Sequence, residues 1–102
     1  MYATLRRYSG NPDLAAKLLT HRKDIESLIR GVKGFEAYYM VKTGDGIVSM
    51  TICEDQTGTE ESNKQAATWI KDNLPDVAKR PPELTAGEVV MQLTEQPTKA
   101  RT

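Results

Sequence analysis

At 102 residues the chain has room for one domain built on a single, modest core. Its 14 basic and 14 acidic side chains cancel, which removes any net field that would draw in nucleic acid, and no apolar stretch reaches the ~20 residues that span a bilayer. Cys53 is the single cysteine, so an intrachain disulfide and a thiolate metal centre are excluded; with an N-terminus that lacks the basic-then-apolar order of a signal peptide, this reads as a cytoplasmic protein.

The first expected element is a strand from Tyr2 to Tyr8, with Ala3 and Leu5 on one side and Tyr2, Thr4 and Arg6 on the other. Asn11-Pro12 then opens a helix, because asparagine is a good N-cap and proline at the first helical position lacks an N–H that would be unpaired anyway. Its apolar stripe is Leu14, Leu18, His21, Ile25, Leu28 and Val32, and Gly31 and Gly34 supply the stop. Phe35 to Val41 and Ile47 to Cys53 form a β-hairpin through Thr43-Gly44-Asp45-Gly46. A second helix starts near Thr57, where Thr57-x-x-Glu60 fits a capping box, and carries Ala66, Trp69, Ile70 and Leu74 on its apolar side until Pro75 ends it. Asp76 to Lys79 adds a turn, Arg80-Pro81-Pro82 is extended, and Ala86 to Thr94 is the last strand. Residues 1–95 make the single domain, and 96–102, without an apolar anchor, a flexible tail.

The order strand, helix, strand, strand, helix, strand is the split βαβ arrangement of an α+β, ferredoxin-like fold, with both helices on one face of an antiparallel sheet. The more apolar side is expected to face the helices: Ala3, Leu5, Phe35, Ala37, Tyr39, Val41, Val48, Met50, Ile52, Val89, Met91 and Leu93. The opposite side carries Tyr38, Met40 and Val90 beside Tyr2, Thr4, Arg6, Ser49, Thr51 and Gln92, too apolar for solvent, and is expected to be covered in a homodimer.

His21 falls on the buried stripe of the first helix, where it either accepts a proton at the edge of a pocket or bonds a backbone carbonyl or tyrosine hydroxyl. Trp69 and Tyr39 either wall an aromatic pocket, with Ala37, Ser62 and Ala66 leaving room, or belong to the core. Arg6 and Arg7 are adjacent on a strand, so one must point inward, and Glu36 or Glu88 is the expected ion-pair partner. Cys53 lacks a histidine neighbour and reads as a packed thiol. The Gly44-Asp45-Gly46 turn opens no helix and is not a phosphate loop, and no metal-ligand spacing occurs.

Gly34-Phe35-x-x-Tyr38-Tyr39, the Gly44-Asp45-Gly46 hairpin, Glu61-Ser62-Asn63 leading to Ala67-x-Trp69, and Ala86-Gly87-Glu88-Val89 resemble small antibiotic-biosynthesis-monooxygenase-like proteins. The resemblance implies a dimeric α+β barrel and activities that range from cofactor-independent oxygenation of polyketides or quinols to haem degradation. Trp69 matches the family's substrate-side tryptophan, while Gln65 stands where the monooxygenases carry asparagine and can donate the same amide hydrogen bond from a longer arm. Lys79 stands where the haem-degrading members use histidine, and a protonated amine is a poor iron ligand. The implied catalytic set is Trp69, Gln65 and His21, the implied substrate contacts are Tyr39, Ser62 and Ala66, and neither cofactor nor metal is called for. His21, Tyr39, Gln65 and Trp69 are expected to converge between helices and sheet. Two functions fit: a cofactor-independent monooxygenase on a small aromatic or quinol-like substrate, or a non-catalytic small-molecule-binding or stress-associated dimer.

Overall fold

A computed structural model describes residues 1–95; the expected tail, 96–102, lies outside them. The elements are β1 (Tyr2–Tyr8), α1 (Leu14–Leu19), α2 (Arg22–Arg30), β2 (Phe35–Lys42), β3 (Ile47–Cys53), α3 (Gln56–Asn73), α4 (Pro75–Ala78) and β4 (Glu83–Glu88). The strands form one antiparallel sheet in the order β2-β3-β1-β4, the α+β ferredoxin-like arrangement. No helix among the described residues is long and apolar enough to cross a membrane.

Three local expectations are corrected. The first helix is two, α1 and α2, because the Thr20 hydroxyl donates to the Lys17 carbonyl and the His21 N–H bonds Leu18 O, tightening and ending the first helix. The second long helix is capped by Asp55, whose carboxylate accepts from Gly58 N at 3.0 Å, in place of the box at Thr57. The last strand occupies Glu83–Glu88, so Val90, Met91 and Leu93 lie beyond it and are largely exposed, at 89, 76 and 85%.

The largest correction concerns the two faces of the sheet. Cross-strand pairing sets rows Met40–Ser49–Arg6–Leu84 and Tyr38–Thr51–Thr4–Ala86 on one face and Tyr39–Met50–Leu5–Thr85 and Ala37–Ile52–Ala3–Gly87 on the other. The helices cover the first, polar face: Thr4, Arg6, Ser49 and Thr51 are all buried, while Leu5, Tyr39 and Val41 on the apolar face are exposed. The physical reason lies in α3. Its buried residues are Gly58, Thr59, Ser62 and Ile70, mostly small or hydroxylated, so it matches a hydroxyl-bearing sheet face and approaches it closely. At Gly58 that approach leaves no space for a side chain, since a Cβ would stand 2.8 Å from Cys53 Cβ and 2.9 Å from the Lys33 carbonyl.

The layer between helices and sheet therefore has two regions. Tyr8, Leu14, Ala15, Leu18, Ile47, Ile70 and Val77 form an apolar core, with Ile25, Met40, Trp69, Leu74 and Ala78 packed on it. Beside it, between α3 and the middle of β1 and β3, lies the polar cluster around Arg6.

Candidate functional site

Arg6 is 2% exposed, and its charge is held by neutral oxygens. Nε donates to Ser49 Oγ at 3.0 Å, Nη1 to Asn63 Oδ1 at 2.9 Å and Ser62 Oγ at 3.4 Å, and Nη2 to Thr51 Oγ1 at 2.7 Å. The expected pairing with Glu36 or Glu88 does not form. The ion pairs among the described residues are Arg7–Glu83, His21–Asp24, Arg30–Glu26 and Lys79–Asp76, and none includes Arg6.

Two cavities open beside this cluster. The inner one, of about 40 Å³, is lined by Arg6, Tyr8, Tyr38, Ser49, Ala66 and Trp69 among others. The outer one is a cleft of about 580 Å³ between α1–α2 and β2, with Ile25, Ile29, Phe35, Tyr38, Tyr39 and Met40 on its walls and Arg22, Glu26, Arg30 and Glu36 among the charged groups lining it. Leu18, Ile25, Tyr38 and Met40 line both, so the two spaces are neighbours across one wall. Burial pushes the hydroxyls of Tyr8 and Tyr38 above their ordinary value, against the opposing pull of Arg6, and both remain protonated donors at neutral pH.

The residues singled out from sequence are only partly brought together. Trp69 and Ala66 line the inner cavity. His21 sits at the joint between α1 and α2, outside the lining, and its ring meets Trp69 edge-on with centroids 5.2 Å apart. Ser62 is fully buried behind Arg6 and donates to the Thr59 carbonyl. Gln65 bonds Glu61 on its own helix at 2.8 Å and lines neither cavity. Tyr39 lies on the open sheet face, 56% exposed, and touches only the outer cleft. Its inward placement is thus corrected along with the face it belongs to.

Arg6, Tyr38 and Ser49 were missed as cavity residues because their strands place them on the face expected to lie away from the helices. The available signal was the small, hydroxylated stripe Thr59–Ser62–Ala66 at helical spacing, which fits a polar sheet face better than an apolar one. Among the described residues, no three His, Cys, Asp or Glu side chains converge closely enough to hold a metal ion.

No protein-family model and no curated protein matches the chain. Solved structures do. An NE2512 protein of unknown function from Nitrosomonas europaea superposes with a TM-score of 0.72 at 19% identity, over 91% of this chain and 92% of that one. A monooxygenase from ActVA-Orf6 of Streptomyces coelicolor, in complex with the ligand nanaomycin D, gives 0.62 at 17% identity over 91% and 89%. SnoaB, a cofactor-independent oxygenase from Streptomyces nogalater, gives 0.58 at 11% identity over 92% and 95%. The likeness to antibiotic-biosynthesis-monooxygenase-like proteins read from the sequence thus extends to the fold, which these oxygenases share with a protein of unassigned function.

Proposed function

We propose that this chain is a cofactor-independent oxygenase, working as a homodimer in the cytosol on a reduced aromatic, quinol-like or anthrone-like substrate. The observation that carries the reading is the outer cleft of about 580 Å³, which is large enough for a fused-ring ligand and adjoins an inner chamber walled by Trp69. The fold held in common with two oxygenases supports it, at the level of architecture.

In such a reaction the substrate is its own reductant. With an anthrone-like substrate the ring methylene loses a proton, the resulting carbanion passes electrons to dioxygen, and a carbon–oxygen bond forms. One oxygen stays as the new carbonyl and the other leaves as water with the two hydrogens of the methylene. The protein has to exclude solvent, hold the ring and stabilise negative charge as it develops. Ile25, Ile29, Phe35 and Met40 supply the dry wall, and Tyr38 the polar group shared by both spaces.

The homodimer is supported by the open sheet face. Its rows Tyr39–Met50–Leu5 and Ala37–Ile52–Ala3 are uninterrupted apolar side chains, with Arg7 and Glu83 paired at the margin. A second copy presenting the same face would bury both, along with the exposed Val90, Met91 and Leu93.

A second reading, a ligand-binding dimer without turnover, is favoured by one observation: the Gln65 amide is spent on Glu61 and does not face a cavity. Oxygen uptake with a panel of hydroquinones and anthrone-like compounds, in the presence of chelator, separates the two. The oxygenase reading expects uptake that Trp69→Ala abolishes in a protein still dimeric. Binding of the panel without uptake would leave the second reading standing.

A further inference from the structure

We infer that the inner chamber is a subsite for a compact anionic oxygen and that Arg6 is the group that receives it. A guanidinium stays protonated at any pH a protein tolerates. Arg6 is almost wholly removed from water, yet among the described residues no carboxylate stands within ion-pair distance of it. Its hydrogen bonds to Ser49, Thr51, Ser62 and Asn63 engage four of its five N–H groups with neutral acceptors and leave its charge unbalanced. A buried charge held in this way is costly and is best compensated by an opposite one.

The chamber also has hydroxyls on its wall. Ser49 accepts from Arg6 and lines the space, and the Tyr38 hydroxyl interacts with both Ser49 and Arg6. Tyr8 and Tyr38 line the same chamber with hydroxyls kept protonated by burial. The space of about 40 Å³ suits a group of a few atoms, such as a carboxylate or a phenolate oxygen. Leu18, Ile25, Tyr38 and Met40 form the wall shared with the outer cleft, so a rotation of the Tyr38 or Met40 side chain would join the two spaces and let a ring in the cleft direct an acidic oxygen toward Arg6. The inference rests on the cavities used in the proposed function but needs no turnover, and holds equally for a binding protein.

The chain has one tryptophan, Trp69, and it lines the chamber, so its fluorescence reports occupancy. The probes are formate, benzoate and the neutral isostere benzamide, titrated without oxygen substrate. Benzoate is expected to give a saturable change and benzamide none. A response to benzoate alone identifies the anionic oxygen as part of a ring ligand, and an equal response to formate identifies a free small anion. Arg6→Gln should weaken the response about tenfold or more, the scale of one lost charge-assisted hydrogen bond, while Arg6→Lys retains most of it. Should Arg6→Gln fail to fold, Ala66→Leu fills the chamber from α3 and should remove the response with Arg6 intact. Benzamide binding as tightly as benzoate, no saturable response to either anion, or a response undiminished in Arg6→Gln or Ala66→Leu would overturn the inference. Oxygen uptake with the hydroquinone panel is measured separately, so loss of one result leaves the other legible.

Discussion

Arg6 on β1 and Asn63 on α3 are joined by a 2.9 Å hydrogen bond from Nη1 to Oδ1, and Asn63 Nδ2 donates in turn to Thr4 Oγ1 at 3.1 Å. This contact ties the long helix to the polar face of the sheet and leaves the apolar face open. Truncating Asn63 to alanine removes an acceptor from a buried guanidinium, and a loss of about 1–3 kcal/mol is expected, read as a lower urea midpoint with unchanged slope. The change to Asn63→Asp has the opposite character. It sets a carboxylate within ion-pair reach of Arg6, so the fold should hold at least as well, while the benzoate response of Trp69 falls about tenfold or more because the charge is already balanced. A stronger benzoate response in Asn63→Asp would contradict the role given to Arg6.

Gly58 tests how closely α3 lies on the sheet. Its added Cβ would stand 2.8 Å from Cys53 Cβ and 2.9 Å from Lys33 O, one of them backbone that cannot swing away. Gly58→Ala is therefore expected to destabilise by about 1–3 kcal/mol despite alanine's better helix propensity. Thermal unfolding at or above the midpoint of the unmodified protein would show that the helix has room to lift.

Stability should be flat through neutral pH and fall on the alkaline side. Burial raises Cys53 above 9.0 and Tyr8 and Tyr38 above 10.0. The unfolded chain gives up these protons first, so it binds fewer protons than the folded one in that window and stability declines as pH rises through it. Denaturation midpoints should hold steady from about pH 7 to 8.5 and drop beyond about pH 9. The same burial predicts that Cys53, fully buried, reacts with a thiol reagent at mild pH only after denaturant is added. Rapid native-state labelling would contradict it.

Much of the architecture is legible in the chain. The strands Tyr2–Tyr8 and Ile47–Cys53 begin and end where alternation and glycine place them, and the hairpin closes through Thr43 N to Gly46 O at 2.9 Å. What alternation does not reveal is which side of a strand meets the helices, since period two fixes membership of a face and leaves its direction open. The usual rule, apolar side inward, fails here because the buried stripe of α3, Gly58, Thr59 and Ser62, is small and hydroxylated and seats on the hydroxyl-bearing face of the sheet. The same inversion hid Arg6, Tyr38 and Ser49 and misplaced Tyr39. Trp69 was legible because a tryptophan on the core side of a helix is constrained by its own size, and Ala66 followed one turn earlier. The expected last strand falls too late because Val89, Met91 and Leu93 alternate like a strand, whereas ladder pairing with β1 ends at Glu88 opposite Tyr2, with one further bond from Val89 N to Met1 O at 2.9 Å.

The measurement that bears most directly on the inverted faces, and on the assembly built from them, is sedimentation equilibrium at micromolar concentration. With the polar face buried under the helices, the apolar rows through Leu5, Met50 and Tyr39 lie on the open face of the sheet, where the proposed second copy would cover them. An interface of that kind runs to ~2,000 Å² or more. The unmodified protein should sediment at twice its 11.4 kDa chain mass. Met50→Asp, whose carboxylate would be buried unpaired between the copies, should sediment as a folded monomer. A monomeric unmodified protein, or a Met50→Asp variant as dimeric as the original, would contradict the account.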